Sequence, residues 1–98
     1  MLRPIHFVGS SHRDLRAFPP EARTQAGFAL YEAQKGEKAE SAFPLVGFGS
    51  AKVLEIIIDH DGDTFRGIYT VKFAKAVYVL HCFKKNVAGP DSYNITVE

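Results

Sequence analysis

Three runs of apolar residues follow one another between residues 53 and 85, and their spacing sets out most of the fold. Residues 53–59 are nearly continuous in apolar side chains, the pattern of a central strand buried on both faces. Asp61-Gly62 is a hairpin turn signal. Residues 65–73 alternate, with Phe65, Gly67, Tyr69, Val71 and Phe73 on one face and Arg66, Ile68, Thr70 and Lys72 on the other. A turn near Ala74-Lys75 leads to the third run, residues 76–83. Successive hairpins predict antiparallel pairing of these three strands.

Upstream, Ile5-His6-Phe7-Val8-Gly9 reads as a short first strand ended by glycine. Ser11-His12-Arg13-Asp14 has the form of a capping box, with Ser11 as N-cap and Asp14 three positions on. The helix it opens is short: Leu15 and Phe18 are its apolar contacts, and Pro19-Pro20 stop it. A second helix is predicted over about residues 20–35. Ala22, Ala26, Ala29, Leu30 and Ala33 form one helical stripe, Pro20 suits the first position and Gly36 the C-terminal stop. The small side chains of that stripe let the helix lie close against a sheet. Residues 37–52 read as a loop punctuated by Pro44, Gly47 and Gly49. The predicted order is β-α-α-β-β-β and the class α+β, a small antiparallel sheet with both helices packed on one face.

The length of 98 residues fits one domain spanning 1–98. A chain of this size buries only about 60–65% of its unfolded surface, so a stabilising partner would help. With 46% hydrophobic and 23% charged residues the composition is globular rather than disordered. The net charge of +1 gives no overall signature of nucleic-acid binding, so any such activity must come from local clustering. The single cysteine, Cys82, excludes an internal disulfide and fits a reducing cytoplasm; its apolar surroundings predict a buried, inert thiol. The start of the chain has no secretory h-region, and no apolar run approaches the ~20 residues of a membrane span. The expected location is therefore the cytoplasm, and the Asn94-Ile95-Thr96 sequon is read as chance.

Asp59-His60-Asp61-Gly62-Asp63 suggests calcium at first sight. An EF-hand loop beginning at Asp59 would need its glycine two residues later and a glutamate where Thr70 stands, so the segment reads as a solvated hairpin tip. His81, in an apolar strand, is either a hydrogen-bonded sheet histidine or a general acid–base, since histidine titrates near neutrality. His6, His12 and His60 lie on other elements without metal-ligand spacing. The serines at positions 10, 11, 41, 50 and 92 form no nucleophile elbow, and Gly47-Phe48-Gly49 is too short for a phosphate loop. Lys84 and Lys85 close the last strand, and hairpin register sets Arg66 opposite about residues 81–84. Neighbours across strands lie about 5 Å apart, so these cations are expected to form one anion-binding patch. Lys72 and Lys75 add charge at the other end of the hairpin.

The strings Leu54-Glu55-Ile56, residues 59–71 (DHDGDTFRGIYTV) and residues 77–85 (VYVLHCFKK) closely resemble the phage-derived, HigB-like branch of the RelE/ParE toxin superfamily. Asp14-Leu15-Arg16-Ala17-Phe18-Pro19 and most of the loop from Pro44 to Gly49 match as well. The resemblance covers residues 5 to about 87. It implies a compact β-α-α-β-β-β fold and a metal-independent, cofactor-free endoribonuclease that cuts mRNA on the ribosome by 2′-hydroxyl attack on the adjacent phosphate. Arg66 matches the family's strand arginine, Lys84 and Lys85 its basic strand end, and His81 a common histidine of variable role. These four are the implied catalytic residues, and Lys52, Lys72 and Lys75 the implied RNA contacts. The implied partners are mRNA on the ribosome and a helix-turn-helix antitoxin, in a dimer or a toxin–antitoxin hetero-oligomer, with no membrane.

Two departures bear on activity. The family loop usually reads Leu-Lys-Gly, whereas here it is Leu45-Val46-Gly47, with Lys52 the nearest substitute. Family members also usually continue with further basic residues and a helix, whereas residues 86–98 contain no lysine or arginine and favour no helix. Tyr93 is a candidate for an acting group in that tail. Three readings follow: an active endoribonuclease toxin, a degenerate toxin fold that binds an antitoxin-like partner, and a ParE-like gyrase inhibitor.

Overall fold

Asp61 and Gly62 turn the chain with φ values of 50° and 81°, the paired positive angles that a two-residue β-hairpin turn requires. The hairpin they close joins β3 (Val53–His60) to β4 (Asp63–Thr70) in antiparallel register from His60↔Asp63 to Val53↔Thr70. The computed structural model describes residues 2–45, 52–72 and 75–85. Besides this hairpin it contains β1 (Ile5–Phe7), α1 (Ser11–Arg16), α2 (Pro20–Gln34), β2 (Ala42–Pro44) and β5 (Val77–Lys85). The tail 86–98, Tyr93 and the loop residues 46–51 lie outside the described residues.

The five strands form one sheet in the order β1-β5-β4-β3-β2. As the hairpin signals predict, β3, β4 and β5 are antiparallel neighbours. Two features are added. β1 pairs with β5 in parallel, Ile5 opposite Val77, so the sheet is mixed. The predicted loop after α2 also contains the edge strand β2, antiparallel to β3. Three residues ending in proline carry no periodicity, and an edge is where a sheet tolerates proline. The edge is guarded further by the Lys38 Nζ, which donates to the carbonyls of Ala39 at 3.3 Å and Ala42 at 2.9 Å.

The β4–β5 register slips once: Ile68 faces His81 while Tyr69 faces Val79, leaving Leu80 as an extra residue. Such a bulge resets the alternation of side chains. Val79 and Cys82 both join the core, while Tyr78, His81 and Phe83 share the face of Thr70, Ile68 and Arg66.

Both helices cover the other face. Every member of the predicted alanine stripe is buried, packed with Leu54, Ile56, Ile58, Phe65, Tyr69, Val77, Val79 and Cys82. Large apolar side chains buried to this degree contribute about 1.5–3 kcal/mol each. Lys35 caps α2, and Gly36 at φ 86° ends it with its N–H on the Ala33 carbonyl, as expected. The N-terminus of α1 differs from the expectation. Ser10, not Ser11, is the N-cap, and its hydroxyl donates to Asp14 Oδ2 at 2.8 Å rather than accepting from a backbone N–H. Ser11 lies inside the helix, buried, and donates to the Val79 carbonyl at 3.1 Å. A hydroxyl that can satisfy a strand carbonyl in the core is worth more there than at a solvated cap. No helix among the described residues is long and apolar enough to cross a membrane.

Candidate active site

The hairpin register sets Arg66 opposite Phe83 on β5 and Ile57 on β3, within the span that the sequence predicts. Its environment is different from the one expected. The guanidinium Nη1 lies 2.9 Å from Glu55 Oε1, and the two side chains are only 12% and 8% exposed. Glu55 is the diagonal neighbour on β3, close enough to reach across the strands. Val53, Ile68 and Thr70 are buried on this same face, so it is not an open, solvated surface. A guanidinium in such a setting must be paired with an anion, and Glu55 is that anion.

His81 is half-buried on the same face, its ring stacked on Phe83 with centroids 4.9 Å apart. His6, brought alongside by the parallel β1–β5 pairing, stacks on Tyr78 at 5.2 Å. β5 therefore carries a row of rings beside Arg66. The sequence reading missed His6, Tyr78 and Glu55. Glu55 inside an otherwise apolar strand, two positions before Arg66's partner Ile57, was the available signal; no local signal marks the pairing of His6 with Tyr78.

The lysine pair divides. Lys85 pairs with Thr64 and lies on the Arg66 face. Lys84 pairs with Phe65, whose ring packs on Phe18 under the helices, and its Nζ lies 3.4 Å from Asp63 Oδ2. The expectation that Arg66, Lys84 and Lys85 form one patch is therefore corrected: adjacent strand residues point to opposite faces, and Lys84 takes the helix side.

Lys52, Lys72 and Lys75 are exposed. The Lys52 carbonyl accepts from Thr70 Oγ1 at 3.2 Å and from the Val71 N–H at 3.3 Å, while the Lys72 N–H donates to Thr70 Oγ1 at 3.1 Å. These bonds hold Lys52 beside Lys72. Lys72 lies six positions beyond Arg66, about 20 Å along a strand, so positive charge occupies two ends of the sheet.

Two further groups are set aside by burial. Burial pushes the Cys82 thiol up to about 12, helped by the Asp14 charge, and the Tyr69 phenol also up to about 12; neither is a nucleophile near neutrality. At the hairpin tip His60 lies 3.7 Å from Glu21 and 3.3 Å from Asp61. Among the described residues no group of three or more His, Cys, Asp or Glu is arranged to hold a metal.

The family model described as "Phage derived protein Gp49-like (DUF891)" matches residues 13–93. The chain belongs to this family. The Gp49-like chain is also similar in structure to an arginine double mutant of E. coli toxin RelE in the free state. The TM-score is 0.67 at 20% identity, over 95% of this chain and 92% of that one. No curated protein matches it. Family and fold together put the Gp49-like chain in the RelE/ParE-like toxin superfamily.

Proposed function

We propose that this protein is the toxin of a toxin–antitoxin pair, of the HigB-like branch, and that it cleaves mRNA on the ribosome. The observation that carries the reading is the face on which Arg66, His81 and Lys85 lie together, in a chain of a phage-derived family with a RelE-like fold. In the proposed reaction a base removes the proton of a ribose 2′-hydroxyl, and that oxygen attacks the adjacent phosphorus. The bond to the 5′-oxygen breaks as an acid supplies its proton, leaving a 2′,3′-cyclic phosphate and a 5′-hydroxyl. His81 is the group on this face suited to move a proton. Arg66, oriented by Glu55, and Lys85 supply preorganised positive charge for the phosphorane-like transition state. Lys52, Lys72 and Lys75 hold the RNA backbone further along the sheet. Lys84 serves the strand end on the other face. The partners under this reading are ribosome-bound mRNA and a helix-turn-helix antitoxin, and the site of action is the cytoplasm.

The test is expression without an antitoxin, with primer extension on cellular transcripts. Wild type is expected to cut ribosome-bound mRNA. His81→Gln and Lys85→Ala should each lose about 10²–10³ in rate, while Lys84→Ala stays within a few-fold of wild type. Equal cutting by all four proteins would refute this site. A second reading, an antitoxin-binding fold without chemistry, is favoured by the Arg66–Glu55 pair, which offsets the charge the reaction needs. A folded wild type that leaves transcripts uncut selects it.

A further inference from the structure

β1 is the edge of the sheet, and it pairs with β5 only over residues 77–79. Ile5 and Phe7 pack against the core under the helices, so His6 between them points to the other face, that of Arg66. The His6 ring is exposed and stacks on Tyr78, with centroids 5.2 Å and planes 30° apart. Among the described residues no strand lies beyond β1, so His6 ends this stack at the sheet edge. Further along β5, past the bulge, His81 stacks on Phe83 at 4.9 Å and 25°.

Cations flank the rings. Arg66 and Lys85 lie at the Phe83 end. At the other end Thr70, the cross-strand partner of Tyr78, accepts from the Lys72 N–H at 3.1 Å and donates to the Lys52 carbonyl at 3.2 Å. Two exposed lysines therefore stand next to the His6–Tyr78 pair. The acidic side chain buried on this face, Glu55, is paired with Arg66 at 2.9 Å. Cations that follow a phosphate backbone, with flat rings between them for the bases, are how proteins hold single-stranded nucleic acid. A duplex keeps its base faces stacked inside and cannot use such rings, so the pattern selects a single strand.

We infer that His6 and Tyr78 form a base-stacking subsite: an unpaired base of the RNA lies on the outer face of the His6 ring, with its flanking phosphates at Lys72 and Lys52. The ligand class rests on the RNA-cleaving reading above, and the subsite adds two residues to which that reaction gives no part. Tyr78 and His81 are three positions apart on β5, about 10 Å along a strand. At about 3.4 Å per stacked nucleotide, the base on His6 lies about three nucleotides from the phosphate at His81. Stacking on a ring face accepts any base, so the subsite sets grip and register rather than sequence.

The experiment is an NMR titration of the whole protein with 2′-O-methyl trinucleotides, which cannot be cut by 2′-hydroxyl attack. The probes are AAA and the same backbone without bases. AAA is expected to shift the ring signals of His6 and Tyr78, and the abasic strand to bind about tenfold more weakly or worse. His6→Ala should weaken AAA about tenfold, whereas His6→Phe, which keeps a flat ring, should bind nearly as wild type. Phe28→Ala, which removes an exposed ring from the helix side, should bind as wild type. Tyr78→Ala should also weaken AAA, and His6, at the exposed edge, decides alone if that variant fails to fold. The inference is overturned by unshifted His6 and Tyr78 signals, by equal binding of the abasic strand, by a folded His6→Ala that binds like wild type, or by His6→Phe as weak as His6→Ala. The titration involves neither ribosome nor cleavage. Binding at the rings with uncut cellular transcripts therefore counts against the nuclease reading alone, and cut transcripts with silent rings against this inference alone.

Discussion

Removing the Arg66 side chain should unfold this protein before it reports on any chemistry. In Arg66→Ala the Glu55 carboxylate, 8% exposed, loses a guanidinium 2.9 Å away. Removing one member of a buried ion pair costs about 3–5 kcal/mol, against a total stability of about 5–15 kcal/mol for an ordinary domain. At about 4–8 °C per kcal/mol for a chain of this size, the melting temperature should fall by about 12–40 °C. Replacing both members with apolar residues of similar volume, Arg66→Met with Glu55→Leu, should recover most of the loss, because neither desolvated charge remains. Urea unfolding followed by circular dichroism, run as a double-mutant cycle, measures the coupling. A cost below about 1 kcal/mol for Arg66→Ala, the range of exposed pairs, would refute the argument. The practical consequence is that lost toxicity in Arg66→Ala is uninterpretable without a stability measurement, whereas Lys85 permits a cleaner test.

Two other outcomes follow from the packing. An added Cβ at Gly27, exposed in the middle of α2, meets nothing within 4 Å. Gly27→Ala should therefore stabilise the protein by about 1 kcal/mol, raising the melting temperature by about 4–8 °C, and an unchanged or lower value would contradict this. The second outcome is alkaline sensitivity. Cys82 and Tyr69 are held neutral by burial, both pushed up to about 12. The folded state is thus fully favoured below the ordinary pKa of each group, about 9 and 10, and loses stability as pH rises from there towards 12. The slope is at most about 1.4 kcal/mol per pH unit for each group. Thermal melts at pH 8 and pH 11 should differ accordingly, and a flat profile would exclude it.

Local chemistry made the helices and the hairpin legible. The alanine stripe of α2, Gly36 and Asp61-Gly62 each encode their geometry within a few residues, and all three behave as read. The parallel β1–β5 pairing was not legible, because a register 72 residues apart leaves no mark on either segment. The site was half legible for the same reason. The opposition of Arg66 to the end of β5 follows from hairpin counting. Its burial depends on Glu55 and on how its face is filled, which counting does not reveal. Lys84 was misplaced by treating two adjacent lysines as one feature when a strand sends them to opposite sides. The bulge at Leu80 further hid which face His81 takes.

The parallel pairing also sets a time at which this protein begins to exist as a fold. β5 is clasped between the first strand and β4, so β1 has no neighbour until residues 77–79 have been synthesised. Both helices emerge earlier, with an alanine stripe and no sheet to receive it. Closing so long a loop is entropically costly and slow compared with helix formation, and ribosomes extend chains at only about 5–20 residues per second. A nascent copy therefore cannot complete its sheet until β5 clears the exit tunnel. It does not present the complete Arg66 face, which takes His81 and Lys85 from β5. A partner that recognises this sheet must therefore meet the finished fold rather than the growing one.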